Sequence, residues 1–197
     1  MTTAPPPKET DLSTDLAGLA PEATFLQITL DGDLPLLLPG TNLVEIMKLP
    51  LGQVVPMFQM PPWVVGLYNW RGDLLWVADG GHFVGLAPWY RQAEAATRHT
   101  VVVIKPPYVA PEGANQLVDE SPLTLGLVVS AVDAMVTYPA AALQPVPDLG
   151  ALPETSAARL TPDLLPLLQG CCMDSSGQPQ LILNGTAMLT AMAQTQA

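Results

Sequence analysis

Cysteine, histidine and positive charge are all scarce in this chain of 197 residues, and each shortage removes a class of function. The two cysteines, Cys171 and Cys172, are adjacent, and neighbouring residues do not readily reach the Cβ spacing of a disulfide. No disulfide framework is available, and a pair of buried, inert thiols is expected. His82 and His99 are the only histidines, so neither a closed zinc site nor a cysteine–histidine catalytic pair has an evident set of residues. No catalytic residue, metal or cofactor is expected. Seven basic against 18 acidic residues give a net charge of −11, which repels phosphate backbones and anionic lipid surfaces. That argues against nucleic-acid binding. No run of about 18 uninterrupted apolar residues occurs, and the N-terminus has no basic start followed by an apolar stretch. A cytoplasmic protein with no direct membrane insertion is expected.

What is abundant is apolar residues, 49% of the chain, together with 22 prolines and 15 glycines. The mean hydropathy of +0.30 argues against a disordered protein. The load of helix breakers points to short strands and many turns. Residues 1–22, rich in Pro, Thr, Asp and Ala without periodicity, read as a disordered tail, and 23–194 as the folded body.

Within that body Phe25 to Leu30 and Leu34 to Leu38 suggest a hairpin turning at Asp31-Gly32-Asp33. Leu43 to Met47, preceded by Thr41 and Asn42, suggests a single capped helical turn. Trp63 to Tyr68 and Leu74 to Val77 read as two strands joined by a tight turn. Thr100 to Ile104 is a buried strand candidate, Pro106 to Pro122 a long loop, and Leu123 to Val129 a further strand. Leu160 to Leu168 reads as a short helix or irregular apolar segment, Pro179 to Leu183 as a last strand, and Gly185 to Ala193 as a helix. The pattern is mainly β and favours small barrels over one sandwich. A short echo, Val44-Glu45-Ile46-Met47 against Val132-Asp133-Ala134-Met135, favours a duplicated fold.

The order of these pieces resembles the CheW-like family of chemotaxis adaptors. The resemblance rests on LVEIM at 43–47, PPWVVGLYNWRGDLLWVAD at 61–79, TVVVI at 100–104, LGLVVSAVDAMV at 125–136 and the closing LILNGTAMLTAM, and it covers about residues 24–193. It implies two five-stranded SH3-like β-barrels packed on a shared core, with a few short helices including a C-terminal one. It also implies a non-enzymatic adaptor that couples the cytoplasmic tip of methyl-accepting chemoreceptors to the regulatory domain of a CheA-like histidine kinase. Such an adaptor is recruited to membrane-associated receptor arrays, and pilus-driven or phototactic motility is as compatible as swimming. Three departures stand out: Trp70 replaces a smaller aliphatic residue in Asn-x-Arg-Gly, the loop 106–122 is enlarged, and Gly80-Gly81-His82 replaces a more apolar strand exit.

The residues expected at a receptor- or kinase-binding surface are Val44, Glu45, Ile46, Asn69, Trp70, Arg71 and Gly72. Arg71, in a turn, is either solvated or set to pair with a partner carboxylate. Asn69 and Gly72 more readily shape the turn, Gly72 by a positive φ and Asn69 by bonding its own backbone. Val44 and Ile46 are either knobs for a helical bundle or core residues beside a solvated Glu45. Trp63 and Trp76 read as core, Trp70 and Trp89 as exposed, while Met47, Met57 and Met60 either line an adaptable surface or fill the core. Two rival functions remain open: a hydrolase or transferase built on Asp73, Asp79 and His82, and a small-molecule-binding β-barrel with an internal cavity.

Overall fold

A computed structural model describes residues 21–30, 34–91, 98–107, 123–147, 152, 158 and 160–194. Most of the N-terminal tail, the Asp31–Asp33 turn and the greater part of the 106–122 loop lie outside the described residues. Among the described residues, ten strands and two α-helices are built from the segments just outlined. Strands β1 (Glu22–Thr29) and β2 (Pro35–Pro39) pair antiparallel, as their apolar runs imply. β3 (Leu43–Leu49) follows, then β4 (Val64–Trp70) and β5 (Asp73–Asp79), which leads into the single-turn helix α1 (Gly80–Phe83). β6 (His99–Ile104), β7 (Leu125–Val129) and β8 (Ala131–Pro139) come next. The described residues end with β9 (Leu168–Met173), β10 (Pro179–Leu183) and helix α2 (Gly185–Gln194).

Two of these elements correct the sequence reading. Leu43 to Met47 is not a helical turn: one 3-10 turn occupies Gly40–Asn42, and the residues after it form β3 against β6. Val44 and Ile46 are β-branched and gain more from that ladder than from a short isolated helix. Leu160 to Leu167 is irregular with one 3-10 turn at Leu165–Leu167, within the reading given, but Leu168 opens β9, a strand the sequence reading lacked, which pairs with β10.

The strands form two five-stranded sheets, ordered β3-β6-β7-β5-β4 and β8-β1-β2-β10-β9. Replacing β3 to β7 in turn by β8, β9, β10, β1 and β2 converts one order into the other. Pairing sense follows the same substitution, since β5–β7 and β10–β2 are the parallel pairs. Register follows it as well: Leu43 faces Ile104 as Val132 faces Ile28, and Met47 faces Val101 as Val136 faces Phe25. The fold is therefore duplicated, with the N-terminal hairpin completing the C-terminal unit. The tetrapeptide echo lies one residue out of step with this duplication, because Leu43 and not Val44 corresponds to Val132; in a strand such a slip exchanges the two faces.

Each sheet closes on itself. Val55, after β3, exchanges two backbone hydrogen bonds with Leu67 of β4, and Gln144, after β8, does the same with Cys171 of β9. The two barrel interiors are small and filled, the first by Leu49, Val54, Val77, Val101 and Val128, the second by Phe25, Leu37, Cys172 and Ile182. Between the barrels lies the largest core, where Leu26, Ile28, Leu36 and Leu38 of one sheet meet Ala78, Val102, Ile104 and Leu127 of the other under Met188, Leu189 and Met192 of α2. Burying each large aliphatic side chain contributes about 1.5–3 kcal/mol, so this layer holds the two barrels in a fixed relation. Two SH3-like barrels on a shared core is the architecture expected from the resemblance.

The strand exits are duplicated too. Asp79 caps α1 by accepting from the His82 backbone N–H, and Asn184 accepts from the Ala187 N–H at the start of α2. The backbone N–H groups of these same two residues donate to Trp63 and Leu167, which face the shared core. Gly80-Gly81-His82 thus belongs to a short capped helix and not to a strand end.

Candidate protein-binding site

The sheet closure brings one set of expected site residues together. Trp70 ends β4, Asp73 opens β5, and Arg71 and Gly72 between them have φ values of +57° and +96°. Positive φ at both central residues is the type I′ geometry that suits a two-residue hairpin. Gly72 adopts it freely, and the Asn69 side-chain oxygen accepts from the Gly72 N–H at 3.1 Å, so both residues shape the turn as expected. Arg71 holds a left-handed conformation that a non-glycine residue adopts only at a cost, on the order of 1 kcal/mol.

Arg71 has a partner within the chain. Its guanidinium donates to Glu45 Oε2 at 2.7 Å, and the Trp70 indole N–H donates to the same oxygen at 3.1 Å. The guanidinium also sits 5.3 Å from the centre of the Trp70 ring. Glu45 is on β3 and Trp70 on β4, the two edge strands of the first sheet, so this cluster seals the mouth of the barrel. Trp70 is half-buried and donates to Glu45, which corrects its reading as an exposed side chain. The larger side chain in Asn-x-Arg-Gly has a local use, since an aliphatic residue would leave Glu45 without that donor. With Arg71 69% exposed at its side chain, the ion pair contributes only about 0–1 kcal/mol to stability and serves mainly to fix where the guanidinium points.

Glu45 faces the barrel mouth, and its neighbours face away. Val44 is 37% and Ile46 42% exposed, so these two are not core residues. They present a β-branched stripe on the outer face of β3, beside the Glu45–Arg71 pair. Trp63 is buried edge-on against Phe83, and Trp76 packs on the shared core, both as expected. The side chain of Trp89 lies outside the described residues. Of the methionines, Met47 packs into the first barrel, Met57 is exposed and Met60 half-buried.

Sequence reasoning missed Phe58, at 93% the most exposed large apolar side chain among the described residues, with Val55 and Leu74 also open. A signal was present: Pro56, Pro61 and Pro62 bracket Phe58 and remove the N–H donors a strand would need. Gln59 next to it takes a positive φ of 61°, turning the segment outward.

The rival readings lose their geometry. Asp73 and Asp79 sit at opposite ends of β5, about 20 Å apart at roughly 3.3 Å per residue, and the Asp79 carboxylate caps α1, so the two acids and His82 do not converge on one site. Both barrel interiors are filled with side chains, in keeping with their size. Among the described residues no group of three His, Cys, Asp or Glu is placed to hold a metal ion, and no helix is long and apolar enough to cross a membrane.

Comparison with known proteins agrees with the geometry. No curated protein matches the chain. Among solved structures, the scaffolding protein TtCheW from Thermoanaerobacter tengcongensis has the same fold, with a TM-score of 0.56 at 13% identity over 82% of this chain and 88% of that one. The CheW-like domain model matches residues 24–192, most of the chain, and the chain belongs to that family.

Proposed function

We propose that this protein couples chemoreceptors to a CheA-like histidine kinase, acting as a binding scaffold in the cytoplasm at membrane-associated receptor arrays. The observation that carries the reading is the exposed Val44–Ile46 stripe set beside an arginine whose direction is fixed by Glu45 and Trp70. A receptor tip is a helical bundle. Two β-branched knobs with an oriented guanidinium next to them suit such a surface, the knobs filling gaps between helices and the arginine meeting an acidic side chain on the bundle. Asn69 and Gly72 hold the turn that carries Arg71. The kinase regulatory domain binds elsewhere on the scaffold, so the two partners are held together without chemistry. The proposal is the same for swimming, pilus-driven or light-directed movement.

Ile46→Asp tests the stripe. Calorimetry with a receptor-tip fragment and a kinase regulatory domain from the same source is expected to show a loss of about tenfold or more at the receptor, equal to roughly 1.4 kcal/mol, with kinase binding unchanged. Equal receptor affinity for the variant and the parent would remove β3 from the interface.

A further inference from the structure

The duplication makes the two barrel mouths comparable, and they differ. In the first barrel Glu45 and Trp70 meet over the opening. By the shared register, the residues at these two places in the second barrel are Ala134 and Asp174. A methyl group and a short acid replace a long acid and an indole, and a cleft of about 480 Å³ opens at the second mouth, lined by Asp174. Its floor is apolar, made by Leu37, Val136 and Tyr138; Gln27, Asp174 and Gln180 line its polar side.

The polar side is rich in acceptors. Asp174 Oδ1 accepts from the Ser176 N–H and hydroxyl and from the Gln178 N–H, while Oδ2 takes one long bond, from Gln180 Nε2 at 3.3 Å. A carboxylate offers about four acceptor positions, so Oδ2 retains capacity. Those hydrogen bonds hold the Asp174 carboxyl below its ordinary pKa, and the group is charged at neutral pH. Gln180 Oε1 is buried and has no donor. No basic residue lines the cleft. An anion is repelled there, and a purely apolar ligand leaves these acceptors without donors.

We infer that the mouth of the second barrel binds a guanidinium or ammonium group carried on a short aliphatic stem, such as an arginine side chain supplied by a partner. The stem lies on Leu37 and Val136, the cation meets Asp174 Oδ2, and the Tyr138 ring adds a π face. The first barrel already carries this combination internally, with the Arg71 guanidinium beside an aromatic ring and bonded to a carboxylate. This site is separate from the β3 surface and does not depend on it.

The test is an NMR titration of the full chain with N-methylguanidinium and with its neutral analogue N-methylurea. The inference expects the cation to shift the Tyr138, Thr137 and Gln180 signals with a millimolar Kd and the urea to bind at least about tenfold more weakly. Asp174→Asn keeps an oxygen for the turn and removes the charge, and is expected to weaken the cation about tenfold; should it fail to fold, the comparison of the two ligands on the parent protein decides alone. An arginine within an extended peptide that binds at least about tenfold tighter than methylguanidinium identifies a protein source, and equal affinity a free small cation. Equal shifts with both ligands, or no shift at these residues with either, overturns the inference.

Discussion

Gly66 and Gly170 occupy the same place in the two barrels, each beneath the carbonyl of the residue that closes its sheet. A Cβ would stand 2.2 Å from Val55 O at Gly66 and 2.6 Å from Gln144 O at Gly170. Those oxygens are fixed by the paired hydrogen bonds of closure, so the backbone cannot yield without opening the barrel. Gly66→Ala and Gly170→Ala are each expected to cost about 3 kcal/mol or more, or to prevent folding. Gly72→Ala is expected to cost only about 1 kcal/mol, because its φ is positive but the space around it is empty. Urea unfolding of the three variants separates the two mechanisms.

Asp174 makes stability depend on pH at the acid end. Its folded pKa lies below the ordinary 3.8 because Ser176, Gln178 and Gln180 donate to the charged form. A depressed folded pKa means the contribution is fully present above pH 3.8 and is lost as pH falls through the folded value. The stability advantage of the parent over Asp174→Asn is therefore expected to be constant from pH 7 down to about pH 5 and to shrink below pH 4. Chemical denaturation at several pH values reads this difference.

Cys171 and Cys172 are both buried, and burial raises both thiol pKa values above 9.0. Cys172 lies in the second barrel and Cys171 in the core between the barrels, so the adjacent pair points to opposite faces of β9. Neither thiol is expected to react with a thiol-specific reagent in native protein at pH 8, and both are expected to react on unfolding. Rapid native labelling of either one would contradict the packing described here.

Much of the fold was legible because it is local. The β4–β5 hairpin follows from Asn69 to Asp73 between apolar runs, β6 from five residues led by β-branched Thr and Val, and α2 from an apolar stretch after Asn184-Gly185. β9 was not legible: Leu168 to Met173 has no β-branched residue, and it is a strand because Gln144 and β10 pair with it. The same holds for β3, which depends on β6 more than fifty residues away. At the site, Glu45 and Arg71 were recognisable from the family pattern and Trp70 as a departure from it, but their mutual bonding was not, since it arises only when the sheet edges meet. The cleft beside Asp174 was hidden for a related reason: that Ala134 and Asp174 do not repeat Glu45 and Trp70 is visible only through the register.

Arg71→Asn tests the central claim most directly, because asparagine tolerates φ of +57° better than arginine while losing the guanidinium. Stability is expected to stay within about 1 kcal/mol of the parent, so binding can be compared between equally folded proteins. The account predicts, by calorimetry, a loss of about tenfold or more toward a receptor-tip fragment and unchanged affinity for the kinase regulatory domain. Receptor affinity within about twofold of the parent would contradict it.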